Sequence, residues 1–223
     1  WVLLCNLDYN MDLILPVIGG LIFGHIIKQT INWLSIDGYE MNIKDPSMEL
    51  IGTMSFAWAF YSLSLNDAFI FSFIVTVLAG IAFVDLRTYQ IPLIFILMGM
   101  AIAFIGITLD VIFLSSALWG IFVGAVIPLI IMGALWAITK RQGMGFGDIQ
   151  MGIVLGAWLG PTRMAITLFS ASVLSLLTWL GVSLVRDFDK DRAMPMAPFL
   201  SVAGTGTYVG SFYYPEFFHL LIL

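Results

Sequence analysis

The chain has 223 residues, of which 61% are hydrophobic and 10% charged, with a mean hydropathy of +1.02 and a formal net charge of −5 at pH 7. A soluble domain carries about 25% charged residues, so this composition excludes an ordinary water-soluble domain. No basic stripe exists to track phosphates, which excludes a nucleic-acid binder. The single cysteine, Cys5, can form neither an intrachain disulfide nor a thiolate zinc cluster, and reads as an inert terminal residue.

A helix of about 20 apolar residues crosses a hydrocarbon core of roughly 30 Å. In chain order, apolar spans are predicted near 12–33, 50–65, 67–84, 91–109, 111–138, 149–160, 164–185 and 197–222. A signal peptide would account for one of these at most, so the membrane is the permanent solvent of this chain. In the first span, His25 reads as a buried packing histidine, and Lys28 is expected to snorkel from the cytoplasmic half. The sixth span is short, and its Gly152, Gly156 and Gly160, at spacing four, let neighbouring helices approach closely. His219, near the end of the last span, reads as interfacial.

The longer polar segments, near 34–49, 85–90, 139–148 and 186–196, all fall on one face of this arrangement. That face carries Lys28, Lys44, Arg87, Lys140, Arg141, Arg186, Lys190 and Arg192, whereas Arg163 alone falls on the other. Lys and Arg are retained in the cytoplasm, so the polar segments are expected inside and both termini outside. Lys140 and Arg141 suit contact with lipid headgroups. No internal repeat is visible. The expected fold is all-α: one polytopic membrane domain over 1–223, with about eight transmembrane helices.

Two aspartates stand out on the cytoplasmic face. Asp85 ends a strongly apolar helix, in Val84-Asp85-Leu86-Arg87-Thr88-Tyr89-Gln90-Ile91-Pro92. Asp148 sits in Gly143-Met144-Gly145-Phe146-Gly147-Asp148, directly before the next apolar span. An ionisable group near hydrocarbon is costly and therefore a functional candidate. Two facing carboxylates suit peptide hydrolysis, one ionised and taking a proton from water, the other neutral and donating to the scissile carbonyl. The glycines before Asp148 would let backbone approach an extended substrate and permit positive φ. Taken singly, Asp85 could pair with Arg87 or mark a helix end, and Asp148 could be an N-cap. The residues alone therefore leave two classes open: an aspartic hydrolase, or a proton- or cation-coupled transporter using Asp85 and Asp148.

At these residues the chain resembles the type IV prepilin peptidases, membrane aspartic proteases with a GxGD signature. Gly145-Phe146-Gly147-Asp148 matches that signature, and Asp85 with Ile91-Pro92 resembles the first catalytic motif. Gly156-Ala157-Trp158-Leu159-Gly160, Pro195-Met196-Ala197-Pro198-Phe199-Leu200 and Pro46-Ser47-Met48-Glu49-Leu50 resemble further stretches of the family, from about residue 19 to 205. The resemblance implies an active site at the cytoplasmic surface of the bacterial inner membrane, with Asp85 and Asp148 as the catalytic pair and no metal. Prepilin or pseudopilin precursors with a short basic leader would be the substrates, and a pilus or secretion assembly machinery the partner. Gly145, Gly147 and Glu49 are the candidate substrate-binding residues.

Three features depart from the family pattern. The first cytoplasmic loop has no cysteine for the zinc module that many relatives carry, Gln150 stands where a lysine commonly follows the signature, and Leu93 follows Ile91-Pro92. Many relatives also methylate the new amino terminus with S-adenosylmethionine; no residue here marks such a site. Asp37, Glu40, Asp45 and Glu49, with Asp187, Asp189 and Asp191, form an acidic rim that suits a basic leader.

Overall fold

The computed structural model describes residues 2–140, 145–185 and 194–220, and every regular element among them is helical. In chain order these are α1 (Val2–Leu34), a 3-10 turn (Ile36–Gly38), α2 (Ser47–Ser62), α3 (Leu65–Thr88), α4 (Leu93–Thr108) and α5 (Leu114–Ile121). A π-helical turn (Phe122–Val126) then leads into α6 (Ile127–Thr139), followed by α7 (Phe146–Val185), α8 (Ala197–Tyr213) and α9 (Pro215–Leu220). The boundaries follow local chemistry. Ser64 accepts the Asp67 N–H at the start of α3, and Pro92 immediately precedes α4.

The all-α, multi-pass expectation holds. Each apolar segment is helical, and among the described residues four helical stretches are long and apolar enough to cross a membrane: Ile14–Leu34, Leu65–Thr88, Leu114–Ile138 and Phe146–Val185. Helices α2 and α4 have 16 residues each, or about 24 Å at 1.5 Å per residue. Apolar patterning reports which segments avoid water. Capping and proline positions decide how long each helix runs.

The longest helix is broken. Gly160 has φ 74° and ψ 176°, a conformation essentially restricted to glycine, and Pro161 begins the helix that follows. A Cβ built on Gly204 would meet Leu155 at 2.8 Å and Thr167 at 3.6 Å. Residues 155 and 167 would stand about 18 Å apart along a straight helix, so the chain reverses at Gly160-Pro161. The two separate spans expected near 149–160 and 164–185 are therefore the two arms of α7.

Helix α3 is the centre of the bundle. Phe71, Ile74, Leu78 and Ile81 on it are buried, and it packs against α1, α2, α4 and α8. The first arm of α7 crosses α5 at backbone distance: a Cβ on Gly120 would lie 2.8 Å from the Gly156 carbonyl carbon and 2.9 Å from Gly160 Cα. This is the close approach expected of the spacing-four glycines. The outward faces of α5, α6 and the second arm of α7 expose Leu118, Ile130, Ile138, Leu177, Leu184 and Val185. So continuous an apolar surface has lipid as its solvent.

Candidate active site

Helix α3 ends one turn after Asp85. Tyr89 adopts a left-handed conformation with φ 56°, and its N–H closes on the Asp85 carbonyl at 2.9 Å. Only 4% of Asp85 is exposed, yet its carboxylate is not orphaned: Oδ2 accepts the Ala197 N–H at 2.9 Å. Ala197 is the first residue of α8, where backbone N–H groups have no partner within the helix and the dipole favours an anion. The stretch around Pro195 and Pro198 thus supplies the donor that holds Asp85. Sequence reading assigned no role to this N–H, because the contact spans 112 positions. A proline-flanked helix start was the available signal.

Asp148 is the third residue of α7. Its Oδ2 accepts the Gly145 N–H at 3.3 Å, and its own N–H reaches the Gly145 carbonyl at 3.2 Å. The carboxylate thus reaches back to the residue before the helix, as the third residue of a capping box does; the N-cap reading of Asp148 is corrected to this. Gly147 lies inside the first turn, so its use is space and not positive φ. A Cβ there would press on Ile91 Cβ at 3.1 Å, so the glycine lets the Ile91-Pro92 segment and the start of α7 close on each other.

Asp85, Asp148, Gly145 and Gly147 line one cavity of about 450 Å³, together with Tyr89, Gln90, Gln150 and Met194-Pro195-Met196. Among the described residues no cation lies within ion-pair distance of either aspartate, and the suggested Asp85–Arg87 pair is not formed. Gln90 was not singled out in the sequence. It faces this cavity and donates to Asp37 Oδ2 at 2.7 Å, tying the first loop to the rim. Both acids sit at helix ends, whereas a transporter places its acids near mid-membrane in interrupted helices.

Residues 70–180 match the family model described as the type IV leader peptidase family, a segment that contains both aspartates. This segment belongs to that family. Among relatives, a prepilin leader peptidase/N-methyltransferase of Aeromonas salmonicida is 33% identical over 86 residues, 37% of this chain and 30% of that protein. The protein of the same description from Dichelobacter nodosus is 30% identical over 151 residues, 66% of this chain and 49% of that protein. The one from Legionella pneumophila is 26% identical over 171 residues, 73% of this chain and 58% of that protein. The chain thus spans between 30% and 58% of the length of these relatives. No solved structure matches it.

The third carboxylate of the family-like pattern lies elsewhere. Glu49 does not line the cavity; its Oε1 takes the Lys28 ammonium at 3.2 Å and His25 Nδ1 at 3.0 Å. Lys28 does not snorkel. It is 4% exposed, and its ammonium also donates to the Ile43 carbonyl at 3.0 Å and to the Asp45 carbonyl. Three oxygens from the first loop and α2 out-compete the headgroups for a cation at that depth. His25 is exposed rather than buried, bridging Glu49 and Gln29. The acidic rim is partly committed within the protein: Asp37 holds Gln90, Glu40 accepts from Ser35, and Asp45 accepts from both the hydroxyl and the N–H of Ser47. Those Ser47 bonds hold the Asp45 carboxyl below the usual carboxylate range. Arg141, Gly143, Met144, Arg186, Asp187, Asp189, Lys190, Asp191 and Arg192, and the side chains of Cys5 and His219, lie outside the described residues. Lys140 is over the Trp136 ring at 4.7 Å.

Proposed function

We propose that the protein is a membrane aspartic endopeptidase that removes the short basic leader from prepilin or pseudopilin precursors, with Asp85 and Asp148 as its acid and base. The observation that carries this reading is two carboxylates on one cavity, each held by a peptide N–H and neither neutralised by a cation among the described residues. One proton shared by such a pair suffices for the reaction. The ionised carboxylate takes a proton from water as the oxygen adds to the scissile carbonyl, while its protonated neighbour donates to the carbonyl oxygen. The tetrahedral adduct collapses when the leaving nitrogen is protonated and the C–N bond breaks. Which aspartate is which belongs to the pair.

The distribution of basic residues supports a cavity on the cytoplasmic side of the inner membrane and termini outside. No metal enters the mechanism. The names of the relatives include N-methylation. Among the described residues the cavity holds no carboxylate besides Asp85 and Asp148 for the ribose of S-adenosylmethionine. The test is cleavage of a prepilin by the full chain in liposomes, comparing the parent with Asp85→Asn and Asp148→Asn. Loss of cleavage in both folded variants supports the reading. Full activity in either, or an inactive parent, overturns it and makes proton flux the next measurement. Adding S-adenosylmethionine to the same assay reads methylation as a mass increment on the mature amino terminus.

A further inference from the structure

Remote from the aspartates, the α4–α5 connection, the start of α5, the break in α7, the end of α8 and α9 enclose a second cavity, of about 530 Å³. Its walls are largely apolar, with Ile112, Phe113, Trp158 and Phe218 among them, but Arg163, Ser116 and Thr162 also open onto it. Arg163 forms no ion pair within 4 Å among the described residues. Its guanidinium lies 5.4 Å over the Tyr208 ring, which stacks on Trp158 at 4.9 Å. The arginine is thus positioned over an aromatic ring, with no carboxylate within 4 Å of it among the described residues. It is also the single basic residue on that face of the membrane arrangement. The chain break at Gly160 lies beside Arg163: the helix restarts at Pro161, so Arg163 stands in the first turn of the second arm.

An apolar groove lies beside this cavity. Phe218 lines both, and the groove, of about 350 Å³, runs between two stripes at spacing four: Ile166, Ser170 and Leu174 on α7, and Val202, Gly206 and Gly210 on α8. Eight residues of helix make it about 12 Å long. A Cβ on Gly206 or Gly210 would meet nothing within 4 Å, so these glycines do not serve helix packing. They leave a trough open toward lipid.

We propose that cavity and groove together form a site for one anionic glycerophospholipid, its phosphate at Arg163 and the start of an acyl chain along Gly206 and Gly210. The arrangement matches an amphipathic ligand: a cationic, hydroxyl-bearing head cavity, bordered at Phe218 by an apolar trough that runs back along α7 and α8. A free anion would use only the first part, and an apolar helix only the second. The site is independent of the aspartate cavity and holds whatever the peptidase assay returns.

The test uses the full chain in detergent, with bound lipid counted by native mass spectrometry and affinity read by titration. Phosphatidylglycerol is expected to bind at one equivalent and phosphatidylcholine more weakly. Arg163→Gln should weaken phosphatidylglycerol by about tenfold or more, the scale of a lost charged hydrogen bond, and Arg163→Lys should retain most of the binding. Gly206→Leu and Gly210→Leu fill open space without a clash, and should weaken the lipid while leaving helix content and thermal midpoint unchanged. Three results would overturn the proposal. Inorganic phosphate competing as well as the lipid, with the glycine variants unaffected, would make this a free-anion site. Equal binding of both lipids would remove the role of Arg163. Displacement of the lipid by a prepilin helix would assign the trough to substrate.

Discussion

Two groups of carboxylates lie at the same end of the bundle and are held in opposite ways. In the α1–α2 corner, Glu49 is fixed by a buried ammonium and an imidazole. In the cavity between α3, α7 and α8, Asp85 and Asp148 are each held by a single peptide N–H, with no cation in reach among the described residues. A carboxylate tied to a buried lysine is committed to one charge state, because removing either partner leaves the other uncompensated. A carboxylate held by a backbone dipole keeps its place while its proton comes and goes. The first arrangement fastens a loop; the second suits acid–base chemistry.

The contrast can be broken experimentally. The largest effect is expected at the cavity: Asp85→Asn or Asp148→Asn keeps side-chain size and should cut prepilin cleavage by about 10²- to 10⁴-fold, with the thermal midpoint nearly unmoved. Lys28→Met should do the reverse. It leaves the partly buried Glu49 carboxylate with His25 as its remaining partner, at a cost of about 1–3 kcal/mol of stability, whereas Lys28→Met with Glu49→Leu should recover most of the loss. A thermal midpoint for Lys28→Met equal to the parent would show that the corner is not built on this pair.

Smaller effects sharpen how the two regions communicate. Gly147→Val would push on Ile91, already 3.1 Å from the position of the first added carbon. Overpacking of about 1–3 kcal/mol should lower cleavage by about tenfold or more, and Ile91→Ala in the same chain should restore part of it. The smallest change is expected at the link between loop and cavity. Asp37→Ala frees Gln90 from a bond worth about 0.5–1.5 kcal/mol, which should raise KM a few-fold while kcat holds. Adding Gln90→Ala should then change little more, because both act through one contact. Additive effects in that double variant would separate the two residues.

The sequence was informative where a local rule sufficed. Apolar runs marked every helical segment, the spacing-four glycines marked the close crossing on α5, and the two aspartate motifs marked the residues that meet in one cavity. It was misleading where partners compete in space. Lys28 read as a snorkelling residue because its three oxygens arrive from positions 43, 45 and 49, and their competition with headgroups is invisible in a linear reading. The break at Gly160 was expected only as a short connection between two spans, and its backbone conformation with φ 74° is what turns the chain back.

Composition and hydropathy alone determined that this chain lives in a membrane as helices, because backbone polar groups in hydrocarbon must be satisfied within each segment. They also marked Asp85 and Asp148 as acids at the ends of apolar spans, because a charge deeper in hydrocarbon is costly. Only the tertiary structure decided that the start of α8 supplies the donor for Asp85, that Glu49 belongs to a lysine and not to the cavity, and that Arg163 lines a second cavity beside an apolar groove. Each of these depends on groups brought together from distant positions, and the energy of such a contact depends on distance in space rather than on order along the chain.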